Sequence, residues 1–144
     1  MTSNLKEWLA LNGYSQDNLN SVGKYGNSAI MKASREANLS IVDELISLNV
    51  DLNVKNIDGN SALWNACFGD SYACFEALVS AGINIDSQNV NNVTSLMYCA
   101  SAGKEDFVGL LLKYNAKTDV ESLDGFKAID LAVTPKIVKL LKNA

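Results

Sequence analysis

The stretch "DGNSALWNAC", residues 58–67, joins a tight-turn dipeptide to the start of an amphipathic helix. Asp58 and Gly59 are typical turn residues. Ser61 stands two residues after the glycine, where its side chain can cap the helix that follows. The same order of residue types recurs in the chain, and this recurrence predicts the fold.

Three further segments follow the same pattern: "YGNSAIMKAS" at 25–34, "NNVTSLMYCA" at 91–100 and "DGFKAIDLAV" at 124–133. The turn residues of the four segments lie at one spacing of 33 residues: Gly26, Gly59, Asn92 and Gly125. A fixed period between about 20 and 50 residues is typical of repeat architectures. The chain is therefore predicted to consist of four similar structural units.

A second apolar segment with helical spacing follows the first in each full unit, as in "FEALVSAG" at 75–82 and "FVGLLLKYNA" at 107–116. Its leucine recurs with the same period, at Leu45, Leu78 and Leu111. Asn49, Gly82 and Asn115 then suit the left-handed residue that ends a helix. A turn and two antiparallel helices cannot bury their apolar face alone, so the units are expected to stack into an all-α solenoid.

The composition of the chain argues against several classes of function. The 144 residues are 48% hydrophobic and 19% charged, which is typical of one globular domain. No apolar run approaches the roughly 18 residues of a membrane span, and the N-terminus lacks the apolar core of a secretory signal, so we expect a cytoplasmic protein that does not engage a membrane. A net charge of −4 argues against nucleic acid as a partner. With no histidine and with three cysteines lacking metal-type spacing, we expect no metal, no cofactor and no catalytic residues.

These residues resemble the ankyrin-repeat family, whose pattern runs roughly D-x-x-G-x-T-P-L-H-x-A-A, then a helix, then G-A-D-x-N. The resemblance extends from Lys24 to the C-terminus. The proline of the pattern is replaced by Ala29, Ala62, Ser95 and Ala128, and its histidine by Met31, Trp64, Met97 and Asp130. The resemblance implies an all-α ankyrin-repeat solenoid of paired antiparallel helices with short β-hairpin-like turns, without the hydrogen bonds that the histidines usually make between repeats.

The expected organisation is a single free-standing ankyrin-repeat domain over residues 1–144, monomeric on its own. It divides into an N-terminal capping helix at 1–22, repeats at 23–55, 56–88 and 89–121, and a shortened C-terminal capping repeat at 122–144. In the last segment Lys136, Lys139 and Lys142 recur at three-residue intervals, which predicts a solvated helix side near a favourable C-terminal dipole.

The resemblance further implies that a partner protein binds the concave face, which hairpin tips and first helices form together. Matched by position, the candidate partner-binding residues are Tyr25, Arg35, Ile57, Asp58, Asn60, Trp64, Phe68, Val90, Asn91, Val93, Tyr98, Leu123, Asp124 and Phe126. Several tips carry large apolar residues where loops are usually polar, and exposed apolar patches mark interaction sites.

Trp64 allows two interpretations. It replaces the family's histidine and could simply fill that gap by packing against Met31 and Met97. Alternatively, with Phe68 one turn later and Tyr98, it faces the concave side as part of an aromatic cluster, the residue type that dominates binding energy at interfaces.

Charge adds a second feature, because no Lys or Arg occurs between Asn56 and Gly103 while several acidic residues do. An acidic and aromatic centre would suit a partner with a basic and apolar surface. For Asp58 and Asp86 individually, the alternative is a solvated turn residue.

The predicted function is a non-enzymatic protein–protein interaction module, an adaptor, inhibitor or assembly factor. The alternative is an enzyme or small-molecule sensor, although the chain lacks a phosphate loop such as GxxxxGKS.

Overall fold

The computed structural model describes all 144 residues, and helices are its only extended regular elements. They are α1 Ser3–Leu11, α2 Ala29–Arg35, α3 Leu39–Ser47, α4 Ala62–Phe68, α5 Tyr72–Ser80, α6 Ser95–Ser101, α7 Glu105–Lys113, α8 Ala128–Leu131 and α9 Pro135–Lys142. A single 3₁₀ turn at Lys24–Gly26 and one isolated β-bridge between Val22 and Ser28 complete the regular structure. The predicted all-α class is confirmed.

The chain divides into two compact units, residues 1–84 and 85–144, here called unit 1 and unit 2. In unit 1, α2 packs on α4 and α3 on α5, while α1 covers α3. In unit 2, α6 packs on α8 and α7 on α9. Within each unit, therefore, first helices stack on first helices and second helices on second helices, as expected for a solenoid.

The predicted helix ends have the expected backbone. Asn49, Gly82 and Asn115 have φ values of 59°, 92° and 64°, the left-handed conformation that closes a helix. The caps differ between repeats: the Thr94 hydroxyl accepts the Met97 N–H at 3.2 Å, whereas Ser61 occupies the N-cap of α4 without accepting a hydrogen bond from that helix. Ser61 therefore occupies the predicted N-cap position but does not form the predicted capping hydrogen bond.

The core consists of the periodic apolar positions. Leu45, Leu78 and Leu111 have no exposed surface, and all three cysteines are buried free thiols. Burial raises the pKa of the Cys74 thiol, which keeps it in the unreactive protonated form. On α1, Leu5 and Leu9 are buried, whereas Leu11 is 80% exposed and lies outside the core.

Side-chain hydrogen bonds recur at the repeat ends, each between two residues of the same compact unit. The Asp51 N–H donates to Asn20 Oδ1 at 2.7 Å, the Asn84 N–H to Asn53 Oδ1 at 2.9 Å, and the Lys117 N–H to Asp86 Oδ1 at 2.8 Å. The three acceptors lie 33 residues apart. This repeated bond, which we call the acceptor ladder, joins adjacent repeats in a chain that lacks the family's histidines.

Candidate functional site

Three side chains of unit 1 stack at the ends of α2 and α4. The rings of Trp64 and Phe68 lie 5.3 Å apart between centroids and 21° from parallel. The guanidinium carbon of Arg35 lies 4.1 Å from the centroid of Phe68. We call this group the aromatic surface. Stacked aromatic pairs contribute about 0.5 to 1.5 kcal/mol beyond burial, and an exposed cation–π contact about 0.5 to 1 kcal/mol.

The helix geometry and one glycine explain this stack. Trp64 and Phe68 are four residues apart and therefore lie on one side of α4. Gly69 follows directly, and a Cβ at this position would lie 2.1 Å from the carbonyl oxygen of Arg35. Only glycine permits so close an approach. The end of α2 can thus contact the end of α4, which brings Arg35 over Phe68.

Exposure distinguishes the two aromatic residues. Phe68 is 41% exposed, although phenylalanine is among the residue types most often buried. Trp64 is half-buried, so part of its ring is covered and part is open. Neither side chain is a fully buried core residue.

The tips of the first two hairpins in unit 1 are joined by a main-chain bond. The Ile57 N–H donates to the Tyr25 carbonyl at 2.9 Å. Their side chains are 71% and 62% exposed, and Asp58 is exposed beside them. Asn60, expected as a tip contact, is only 8% exposed, and its carbonyl accepts the Asn56 N–H within the turn. Asn60 was therefore wrongly predicted as an exposed tip contact, because it is buried within the turn.

Unit 2 repeats the same tip arrangement. The Leu123 N–H donates to the Asn91 carbonyl at 3.0 Å. The exposed tip residues of this unit are Val90, Asn91, Leu123, Asp124 and Phe126, and its half-buried candidates are Val93 and Tyr98. The ammonium of Lys104 lies 5.9 Å from the centroid of the Tyr98 ring. These residues form a second candidate surface.

The acidic residues have separate roles. Asp86 uses one carboxylate oxygen in the acceptor ladder, which favours a structural role for it. Asp58 is exposed at a hairpin tip, where a carboxylate can act on an approaching partner. Lys32 in α2 and Glu36 at its C-cap form an exposed ion pair at 3.4 Å.

No group of three or more acidic or cysteine side chains is placed to hold a metal ion. None of the helices combines the length and the apolar character that crossing a membrane requires.

The model of the family described as ankyrin repeats (3 copies) matches residues 2–89, more than half of the chain. The chain belongs to the ankyrin-repeat family. Its repeats outside that match follow the same period and the same helix pairing, α6 with α7 and α8 with α9. Ankyrin repeats generally mediate protein–protein interaction, and the family is typically non-enzymatic. A search of curated proteins found no match to this chain.

Sequence reasoning placed Arg35, Trp64 and Phe68 among the candidates but did not predict that they stack. It also missed the acceptor ladder. The signal for the ladder was present, since Asn20, Asn53 and Asp86 share the 33-residue period and an oxygen acceptor.

Proposed function

We propose that this ankyrin-repeat protein is a non-enzymatic interaction module that binds a partner protein through hairpin tips and first helices, acting as an adaptor, an inhibitor or an assembly factor. The observation that carries the proposal is the aromatic surface, where Phe68 remains 41% exposed although two neighbours stack on it. Exposed aromatic side chains of this kind are frequent binding hot spots.

Pre-organisation supports the proposal. The stack holds Phe68 between defined contacts, at 5.3 Å from Trp64 and 4.1 Å from Arg35. Ordering a free side chain on binding costs about 0.5 to 1.5 kcal/mol. Because these side chains are already ordered, most of that cost is absent when a partner binds.

The charges indicate the chemistry of the partner. An apolar side chain of the partner would pack on Phe68, and another would contact the exposed apolar tip residue Ile57. A Lys or Arg of the partner would meet the exposed carboxylate of Asp58 at the tip. The proposed partner therefore presents a basic and apolar surface, with the charge acting mainly on the association rate.

The tip residues of unit 2 form a second candidate surface for protein binding. Val90 is 59% exposed, Leu123 is 64% exposed and Phe126 is 48% exposed. Large apolar side chains with this exposure favour a contact role. We place the interaction in the cytoplasm, because all three cysteines are buried free thiols, as is usual in a reducing compartment.

The test places a photo-crosslinking phenylalanine analogue at Phe68 and, in a parallel sample, at Tyr72. Tyr72 is a matched control, because it is 46% exposed and aromatic but starts the second helix of the same repeat. Irradiation in a lysate of the source cells should yield one crosslinked protein from position 68 and not from position 72. Mass spectrometry then identifies that protein.

Purified partner allows the affinity to be measured. Phe68→Ala should weaken binding by about 2 kcal/mol, about 30-fold, while Tyr72→Ala should change it less than about threefold. Crosslinking and loss of affinity at position 72 alone would place the partner on the second helices and overturn the proposal.

A further inference from the structure

Unit 2 contains a depression outside its hairpin tips and first helices. It is a cavity of about 910 Å³ bordered by the end of α7, the loop that follows it and one side of α9. Its apolar lining includes Leu112, Ala116 and Leu140. We call it the C-terminal groove. Sites for small ligands usually measure about 300 to 1,000 Å³, so this groove has room for several side chains.

The two sides of α9 explain why the groove is partly apolar. Ile137 and Leu141 are buried on the side that packs into unit 2. Lys136, Lys139 and Leu140 line the groove instead, at the i, i+3 and i+4 positions of one helix face. Leu140 is half-buried, so an apolar strip remains accessible between two lysines.

The rim is strongly basic. Lys113, Lys117, Lys136 and Lys139 border the groove, against one acidic side chain, Asp119, and the C-terminal residue. None of the four ammonium groups is in an ion pair. A protein of net charge −4 thus concentrates cations around one apolar depression.

Asp119 adds a hydrogen-bond acceptor at the edge of the groove. It follows Asp86 by 33 residues and is therefore the next position of the acceptor ladder. At each earlier position the side-chain oxygen accepts a main-chain N–H from the following repeat. A main-chain N–H of a bound polypeptide is the equivalent donor for Asp119.

We propose that the C-terminal groove docks an amphipathic segment of a protein, with apolar side chains on one face and Asp or Glu beside them. The apolar strip contacts the apolar side chains of the segment, and the four lysines attract its carboxylates. A polypeptide fits better than a lipid, because a polypeptide supplies the main-chain N–H that each earlier position of the ladder accepts. This site is separate from the aromatic surface and does not depend on the function proposed for it.

The test uses a fluorescently labelled synthetic peptide of about four helical turns, with Leu on one face and Glu on the other. Its binding to the intact protein is measured by fluorescence anisotropy at low and at physiological salt. Lys139→Glu should weaken binding at least about fivefold. Lys142→Glu is the matched control, because Lys142 lies on the same helix but does not line the groove, and it should change affinity less than about twofold.

Two further variants separate the contributions. Leu140→Gln should weaken binding about tenfold at both salt concentrations, because it removes an apolar contact that salt does not screen. If this variant fails to fold, the exposed Lys139 variant still decides the question. Phe68→Ala should leave peptide affinity unchanged, which distinguishes this site from the aromatic surface.

Equal losses from Lys139→Glu and Lys142→Glu would mean that net charge alone attracts the peptide, and would overturn the proposal. So would the absence of peptide binding at low salt. Binding to vesicles containing phosphatidylserine without binding to the peptide would assign the lysines to a membrane surface instead.

Discussion

The second repeat and the last repeat begin with the same Asp-Gly turn but form different structures. In the second repeat, α4 has seven residues, and five of them are buried. In the last repeat, α8 has four residues, and Ala128 alone is buried. The turn signature therefore starts a repeat, but the length of the following helix decides how much surface the repeat can bury and display.

The short α8 has a local cause. Ala132 follows it with an extended backbone, φ −63° and ψ 127°. The next residue, Val133, donates its N–H to the Ala100 carbonyl at 3.3 Å, which directs the chain away from the helix axis. Pro135 then begins α9, at the helix position where proline is tolerated best.

The largest expected effect is on the free energy of unfolding, when a core leucine is truncated in the second repeat and, for comparison, in the last repeat. Leu78→Ala in α5 should reduce the free energy of unfolding by about 2 to 5 kcal/mol, because Leu78 is fully buried. Leu141→Ala in α9 should cost no more than about 2 kcal/mol, because Leu141 borders a cavity of about 190 Å³ that can hold water. Chemical denaturation measures both values. Equal losses would mean that the last repeat is packed as tightly as the second.

Two glycine substitutions, one in each unit, extend this comparison to unit 1 and unit 2. Gly69→Ala should destabilise the protein by about 1 to 3 kcal/mol, because the added Cβ collides with the Arg35 backbone. Gly109 in α7 has no atom within 4 Å of such a Cβ. Gly109→Ala should therefore stabilise the protein by about 0.5 to 1 kcal/mol. The same denaturation experiment tests both signs, and a neutral Gly69→Ala would refute the close approach of α2 and α4.

Local stability should follow helix length. The amide protons of α8 should exchange with solvent at least about tenfold faster than those of α4, because α8 has one buried side chain and few buried contacts to lose when it opens. Hydrogen exchange followed by NMR at residue resolution measures this ratio. Similar protection in the two helices would contradict the proposed difference.

The smallest expected effect concerns pH and the first helix. Glu44 accepts hydrogen bonds from the Thr2 N–H and hydroxyl, and these bonds lower the pKa of Glu44 below its usual 4.5. The stabilisation they supply is complete above the unfolded pKa and is lost as the pH falls through the lower folded value. Helix α1 should therefore loosen in acid, while α9, which is held by Ile137 and Leu141, should not respond through this contact.

Exchange rates of the α1 amides between about pH 6 and about pH 3 test this expectation. Glu44→Gln is the control, because the amide cannot lose a negative charge, and it should flatten the pH dependence of α1. An unchanged profile in that variant would assign the acid response to another group.

Much of the fold could be predicted from the chain alone. The 33-residue period, the left-handed Asn49, Gly82 and Asn115, and the buried leucines are local or periodic features. Each one depends on residue type and spacing, so it can be read without knowing which segments touch. Arg35 and Phe68 were likewise recognised as surface candidates from their places in the repeat.

The stacking of those candidates was decided by tertiary structure. Arg35 and Phe68 are 33 residues apart, and their contact at 4.1 Å depends on how closely α2 and α4 approach. The groove beside Leu140 arises in the same way, from the packing of α7 and α9. Periodicity specifies which side of each helix is apolar. The distance between two helices depends instead on the total volume of the side chains that lie between them. The repeat pattern does not specify that volume.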